Sequence, residues 1–373
     1  MSMTILFAGG GSGGHLSPGL AIAERLAEQS PETICRFACS DRDIDRTMLE
    51  EAGVDFMALP ARGLSMTPRG IFRWWKGYRR TVMPMREVFR SSRCDLVVTL
   101  GGFVAAPVSA AAALEHVPVL LLNLDRVPGK ANRSIARRAQ QVLCAVPLLK
   151  PRRNWEVVGM PIRRNALAPG SRVECREALG LHPDLKVLLV TGASQGARTL
   201  NMALPMTGLR HHEAFKGWQV LHLCGEHTPA SSIEAAWKEA DVRAQVRPFL
   251  HHMGQAWGAA DACVSRAGAS SVAEARANLV PTIFLPYPHH GDDHQRHNAQ
   301  PMVDLGGASI VVDEIDPDRT AMQLGDTLST LLASEKLLET MRASLADAPM
   351  PDAAGLIAER ILAQGDWKRP ALT

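Results

Sequence analysis

Residues 4–23 read TILFAGGGSGGHLSPGLAIA, and residues 187–204 read VLLVTGASQGARTLNMAL. Each opens with an apolar run of strand length, passes through a turn of small residues and continues as a helical pattern. That succession begins a doubly wound parallel sheet, with the turn at the carboxyl end of its first strand. Its recurrence at mid-chain predicts an α/β protein of two Rossmann-like domains, each a doubly wound parallel sheet. Domains of this kind that face each other put their strand ends, and any ligand, at the cleft between them.

The surrounding rhythm agrees. Apolar runs near 4–8, 34–39, 55–59, 96–100, 118–122 and 141–145 alternate with helical stretches. A proline- and arginine-rich segment over 146–172, with Pro147, Pro151, Pro161 and Pro169, then reads as a linker with a short edge strand at 156–158. Strands resume at 186–191, 219–223, 244–249, 261–265 and 281–285, and helices at about 316–333, 335–346 and 351–365 close the chain.

At 373 residues the chain suits two domains, and 46% hydrophobic with 21% charged residues is the balance of a soluble globular protein. Seven scattered cysteines without a CxxC pair argue for reduced thiols in a cytoplasmic protein. The amino-terminal MSMTILFAGG has the pattern of a strand and not of a signal peptide. Nineteen uncharged residues lie between Asp95 and Glu115, but Gly101, Gly102, Pro107 and a run of alanines make them strand, turn and small-residue helix, not a bilayer span.

A net charge of +3 is too small to suggest nucleic acid. Its distribution is uneven, since nine Lys/Arg and only Glu87 fall between Arg62 and Arg93. Ile71, Phe72, Trp74, Trp75, Tyr78 and Phe89 are interleaved with Arg79, Arg80 and the other cations. Aromatic and basic side chains together at a surface favour an anionic membrane surface. The alternative is a solvated helix whose aromatics pack inward.

The most telling stretch for chemistry is 261–300, DACVSRAGASSVAEARANLVPTIFLPYPHHGDDHQRHNAQ. A strand ending at Val264 runs into a turn and then a helix opened by Ser270. Helix starts of this kind hold anions such as a diphosphate through unpaired N–H groups. Glu274 lies one turn on, where a carboxylate accepts both hydroxyls of a ribose. Gln295 and Asn298 then suit a sugar's hydroxyls. Together these describe a nucleotide-sugar; the plainer reading makes Ser271 and Glu274 a capping box.

Gly9, Gly11 and Gly14 match GxGxxG, yet His15 directly after the turn points away from a dinucleotide, to taking a proton or positioning a hydroxyl. Its other reading is a histidine satisfying its own helix start. Ser194, Gln195 and Asn201 repeat the small-residue turn in the second half, where Asn201 either caps its helix or touches phosphate. Arg163 is placed to reach a phosphate or base across the hinge.

AGGGSGGHLSP, LGGFVAAP, PVLLLNLDRVPGKANR, VVGMPIRR, GASQGARTLN, SRAGASSVAEARA and DDHQRHNAQPM, in this order and spacing, resemble the MurG family. These are bacterial N-acetylglucosaminyltransferases of peptidoglycan synthesis, and the resemblance covers residues 3 to about 310. It implies a GT-B fold with an acceptor and membrane-associated domain over 1–158 and a UDP-sugar-binding domain over 159–345. A terminal helix over 346–373 would return to the first domain. It also implies an inverting transfer of GlcNAc from UDP-GlcNAc to an undecaprenyl-pyrophosphoryl lipid acceptor, without metal or other cofactor, on the inner face of the cell membrane.

Carried over by that resemblance, His15 serves the acceptor 4-hydroxyl, while Ser12, Gly13 and Gly14 approach the donor diphosphate. Ser194, Gln195, Gly268, Ala269, Ser270 and Ser271 hold the diphosphate, Glu274 the ribose, and Gln295 and Asn298 the GlcNAc. Leu250, ending the strand VRPFL, matches the position beside uracil, and Arg163 the arginine near the nucleotide. The stretch 69–93 matches the region used against the membrane.

The chain departs from the family where it usually reads His-Glu-Gln-Asn, having Leu122-Asn123-Leu124-Asp125 in a loop expected to face the transferred sugar. Asp125 then stands in for the family asparagine or adds a second base. Met160, Ala193 and Leu279 are further departures. A UDP-sugar epimerase, a transferase with another lipid acceptor and a non-catalytic UDP-sugar-binding regulator use the same fold and stay open at this stage.

Overall fold

The computed structural model describes residues 3–11, 14–65, 67–192, 197–288 and 293–363. The chain forms two compact units, Met1–Arg163 with Pro351–Thr373, and Arg164–Met350.

In the first unit the strands are β1 (Thr4–Ala8), β2 (Ile34–Ser40), β3 (Asp55–Leu59), β4 (Leu96–Thr99), β5 (Val119–Asn123), β6 (Gln141–Cys144) and β7 (Trp155–Val157). Between them lie α1 (Ser17–Gln29), α2 (Asp43–Glu51), α3 (Pro68–Ser91), α4 (Gly102–Leu114) and α5 (Lys130–Ile135). All ladders are parallel, in the order β3-β2-β1-β4-β5-β6-β7.

The second unit holds α6 (Arg172–Leu179), β8 (Lys186–Thr191), α7 (Arg198–Arg210), β9 (Trp218–Leu223), α8 (Ala230–Glu239), β10 (Ala244–Arg247) and α9 (Met253–Ala259). It continues with β11 (Ala262–Ser265), α10 (Ala269–Ala277), β12 (Thr282–Phe284), α11 (His294–Asp304), β13 (Ala308–Ile310), α12 (Pro317–Ala333) and α13 (Glu335–Ala346). Its sheet runs β10-β9-β8-β11-β12-β13, again parallel. Both sheets therefore reverse direction between their first and fourth strands, and that switch point is where open α/β sheets bind ligands.

The strands are apolar on both faces because helices cover both. In β8, Leu188 and Val190 enter one core and Val187 and Leu189 the other, each 0% exposed. The three-residue β13 carries too short a pattern to be read from sequence.

The unit boundaries fall later than the 158 and 345 expected. Gly159, at φ 95°, lies so close to the terminal helix α14 (Ala353–Ala363) that a Cβ would sit 3.1 Å from that of Ala353. Arg25 donates to Asp352 at 2.9 Å, and Arg360 binds Glu156 through both nitrogens at 2.5 and 2.8 Å, so α14 belongs to the first unit. At the other end, Arg276 donates to the Ala348 carbonyl at 2.9 Å and keeps the chain after α13 with the second unit.

All seven cysteines are free thiols. Burial pushes Cys35, Cys39 and Cys94 up to about 12, which leaves them inert. Among the described residues, no helix is long and apolar enough to cross a membrane.

Candidate functional site

At the first switch point, the turn after β1 has a shape that only glycine permits. Gly10 and Gly11 take φ values of 133° and 111°, and Gly102, at φ 78°, lies so close that a Cβ would meet the Gly10 carbonyl oxygen at 2.4 Å. Gly9 donates to the Ala38 carbonyl at 3.1 Å, and Gly11 donates to Oδ2 of Asp45 at 2.7 Å. Arg42 donates to the Gly11 carbonyl at 2.5 Å and lies 5.3 Å over the Phe103 ring. The N–H groups of Gly9 and Gly11 are thus committed to the protein.

His15, half-buried, follows this turn. Its ring Cδ2 lies 3.3 Å from the point a Cβ on Gly101 would occupy, and the Asn132 carboxamide oxygen lies 3.1 Å from the same point. The missing side chain of Gly101 therefore lets imidazole and carboxamide converge above β4. Asn132, 7% exposed, donates to Oδ1 of Asn123 at 2.9 Å, and Asn123 donates to the backbone carbonyl of Asp125 at 2.7 Å.

The 122–125 stretch is not the open loop expected. Leu122 and Asn123 are the last residues of β5 and Leu124 is 3% exposed, leaving only Asp125 half-buried. Leu122 is buried within β5 and Leu124 just beyond its end, so both leucines are core residues.

Arg163 is committed locally. Its Nε donates to Glu24 of α1 at 3.0 Å, inside the first unit.

At the second switch point, Arg266 follows β11 and is 6% exposed. It donates to the Leu285 carbonyl at 2.8 Å, pairs with Asp313 at 2.6 Å and lies 5.7 Å over Tyr287. Burial lowers its pKa, opposed by the Asp313 carboxylate. The arginine thereby ties the turn before α10 to the segment after β12.

Gly268 precedes α10 with extended backbone, so the first N–H groups of the helix follow from it. Ala269, Ser270 and Ser271 occupy the first turn, half-buried. The capping-box reading fails, because Ser271 lies inside the helix and not at its cap. Glu274, half-buried, instead accepts the indole N–H of Trp257 at 3.0 Å on Oε2.

Gln295 accepts the Tyr287 N–H on its carboxamide oxygen at 2.9 Å, and Asn298 is 4% exposed within α11. Leu250 is 9% exposed, beyond β10. Asn201 neither caps α7 nor faces solvent: it donates to the Cys224 carbonyl at 2.8 Å and to Thr228 at 3.0 Å, and shares a 3.0 Å bond with His222. Ser12, Gly13, Ala193, Ser194, Gln195 and the segment His289–Asp292 lie outside the described residues.

The basic stretch is α3. Thr67 caps it, accepting the Gly70 N–H at 3.1 Å, and Gly77, Thr81, Met85 and Phe89 face inward. Ile71, Phe72 and Trp75 face outward at 44%, 61% and 48% exposure, with Arg79 5.1 Å over the Trp75 ring. Trp74 is half-buried against Tyr78 at 5.5 Å. Arg80 is exposed beside them. Two of the five aromatic rings, Phe72 and Trp75, therefore face outward, while Trp74 and Tyr78 are half-buried and Phe89 packs inward.

Sequence reasoning missed Asp45, Arg266, Asn132 and Trp257. Asn132 and Arg266 carried a signal, lying within the stretches 118–133 and 265–277 that bear the family resemblance, whereas Asp45 and Trp257 lie outside them.

The Glycosyltransferase family 28 N-terminal domain matches residues 5–144, and the Glycosyltransferase family 28 C-terminal domain matches residues 187–357. A UDP-N-acetylglucosamine--N-acetylmuramyl-(pentapeptide) pyrophosphoryl-undecaprenol N-acetylglucosamine transferase of Nocardioides sp. is 36% identical over 97% of this chain and 98% of its own. The protein of that name from Symbiobacterium thermophilum is 33% identical over 99% and 98%. Among solved structures, Acinetobacter baumannii MurG superposes with TM-score 0.72 at 25% identity, covering 98% of this chain and 100% of its own. A UDP-GlcNAc 2-epimerase from Neisseria meningitidis, over 98% of this chain and 100% of its own, reaches 0.66 at 13% identity, a likeness of fold alone.

Proposed function

Because the chain belongs to the MurG family of GT-B glycosyltransferases, we propose that it moves GlcNAc from UDP-GlcNAc to the 4-hydroxyl of the N-acetylmuramyl-pentapeptide on undecaprenyl-pyrophosphoryl lipid I. The product is lipid II, the disaccharide precursor of peptidoglycan. The observation that carries this reading is the full-length match to transferases of that name. An epimerase shares the architecture at an identity too low to speak for its chemistry.

In the proposed reaction the acceptor oxygen attacks the anomeric carbon, the bond from that carbon to the diphosphate breaks, and UDP leaves with the electron pair. His15 takes the hydroxyl proton, as its place at the end of the glycine turn allows; Asp125 is the rival base. Charge developing on the diphosphate meets the start of α10 at Gly268–Ser271, where preorganised N–H groups supply a large catalytic effect. Ser12, Gly13, Gly14, Ser194 and Gln195 complete the diphosphate site in this reading. Glu274 accepts the ribose hydroxyls, Leu250 lies by the uracil, and Gln295 and Asn298 meet the GlcNAc. With Glu24 already on Arg163, a nucleotide contact by that arginine requires exchange of the pair.

We further propose that the enzyme is peripheral on the cytoplasmic face of the membrane. Ile71, Phe72 and Trp75 would enter the interface while Arg79 and Arg80 meet anionic headgroups. No metal is assigned a role, and turnover is expected to survive a chelator.

The test is transfer of label from UDP-GlcNAc into a short-chain lipid I analogue. Labelled disaccharide-lipid is the expected product. Donor binding without transfer would point to another acceptor or to a regulator, and absence of donor binding would overturn the reading.

A further inference from the structure

We propose that Trp257 is a positioning residue for the donor: its indole N–H aims the Glu274 carboxylate at the ribose and so sets the preference for a ribonucleotide over a 2′-deoxyribonucleotide sugar. The inference deepens the reading of Glu274 as the ribose acceptor and rests on it.

The indole Nε1 donates to Oε2 of Glu274 at 3.0 Å. Trp257 is 1% exposed, packed in the core that also contains Leu250 and Val272. A buried ring of that size has one orientation, so the direction of its N–H is fixed by packing. Glu274 is half-buried on α10, and the fixed indole N–H holds its Oε2. Tying that oxygen to a donor whose direction is fixed brings the carboxylate charge to bear on one place.

The distance between the two helices is itself fixed by a common strap at 166–168. On α9, a Cβ at Gly254 would sit 2.1 Å from the Leu167 carbonyl oxygen, and one at Gly258 would sit 2.5 Å from the Cys175 sulfur. Glycine at both places lets α9 lie directly on the strap and on α6. At the carboxyl end of α10, Asn278 donates to the Ala166 carbonyl at 2.9 Å and accepts the Ala168 N–H at 2.8 Å. The same segment thus holds Trp257 through one helix and Glu274 through the other.

A merely structural bond would give a different result from a positioning one. If Glu274 only satisfies a buried indole N–H, loss of the N–H changes stability and treats all donors alike. If the indole aims the carboxylate, the loss falls on donors that have a ribose 2′-hydroxyl to be read.

The experiment compares kcat and KM for UDP-GlcNAc and for its analogue lacking the uridine 2′-hydroxyl, in the full-length enzyme and in Trp257→Phe. The expected result is a KM for UDP-GlcNAc raised about tenfold, the worth of a hydrogen bond to a charged group, with kcat little changed. The deoxy analogue, which keeps only the 3′-hydroxyl for Glu274, should lose less, so that the ratio of kcat/KM for the two donors falls. Where Trp257→Phe folds poorly, β-(3-benzothienyl)alanine placed at 257 by amber suppression removes the N–H and keeps the ring size.

An equal loss on both donors, or a lower melting temperature with the ratio intact, overturns the proposal. Glu274→Ala serves as the control. If it too leaves the donor ratio at the wild-type value, Glu274 does not read the ribose and the underlying assignment fails. If it collapses the ratio and Trp257→Phe does not, only the positioning role fails.

Discussion

Gly11 donates its backbone N–H to Oδ2 of Asp45 at 2.7 Å, and the same oxygen accepts the Ser40 hydroxyl at 2.5 Å. Asp45 is 0% exposed. The buried carboxylate on α2 thereby fixes the turn that leads to His15. Asp45→Ala would leave the Gly11 N–H, the Ser40 N–H and the Ser40 hydroxyl without this acceptor, a loss of about 1–3 kcal/mol per unsatisfied group. Urea unfolding should register the loss, and transfer activity per folded molecule should fall as His15 shifts. Unchanged activity in the folded variant would mean that the turn keeps its shape without Asp45.

The role assigned to His15 is separable from binding. His15→Ala should lower kcat by roughly 10² to 10⁴ with acceptor at saturation, the usual range for a lost general base. His15→Gln should do the same with less change in packing. Near-normal turnover in either variant would transfer the role to Asp125, and Asp125→Asn would then have to show the loss.

Strand-turn-helix punctuation made the two sheets legible, because an apolar run followed by glycine and a helical period has few other solutions. The site was legible where chain order alone creates it: Gly268–Ser271 falls at the start of α10 because β11 ends just before it. It was not legible where packing decides. Nothing in the sequence pairs Trp257 with Glu274, Arg163 with Glu24 or Asp45 with Gly11, since each pair joins separate elements. The 122–125 stretch misled for a related reason, as polar residues beside leucines read as a loop until Asn123 is seen bonding Asn132 within the core.

The outward face of α3 gives a membrane prediction with a defined salt dependence. Wild-type protein should co-sediment with vesicles containing anionic lipid, and Phe72→Ser with Trp75→Ser should release it while leaving the melting temperature near its original value, both residues being exposed. Arg79→Glu with Arg80→Glu should weaken binding by about 1 kcal/mol for each cation lost, before any added repulsion. Higher salt should narrow the gap between wild type and this second variant, because exposed charges are screened. Vesicle binding that is indifferent to both pairs would place the contact elsewhere on the molecule.

His222 offers a pH prediction whose sign follows from its surroundings. It is 0% exposed on β9, where Trp237 donates to its Nδ1 at 3.0 Å and Asn201 lies 3.0 Å from its Nε2. Since Nδ1 accepts, Nε2 carries the proton and donates to the Asn201 oxygen, so the ring is neutral with both nitrogens used. Burial pushes its pKa down from 6.5 to about 3. The unfolded chain therefore binds a proton at this residue near pH 6.5, whereas the folded protein does so only near 3. Stability from His222 is complete above the upper value and is lost as pH falls through the interval, by up to about 1.4 kcal/mol per pH unit. Between pH 6.5 and 5 carboxylates in ordinary surroundings remain largely ionised, so urea unfolding over that window should show the decline. His222→Gln should flatten the slope while lowering stability at neutral pH. A slope equal to that of wild type in the variant would assign the decline to other groups.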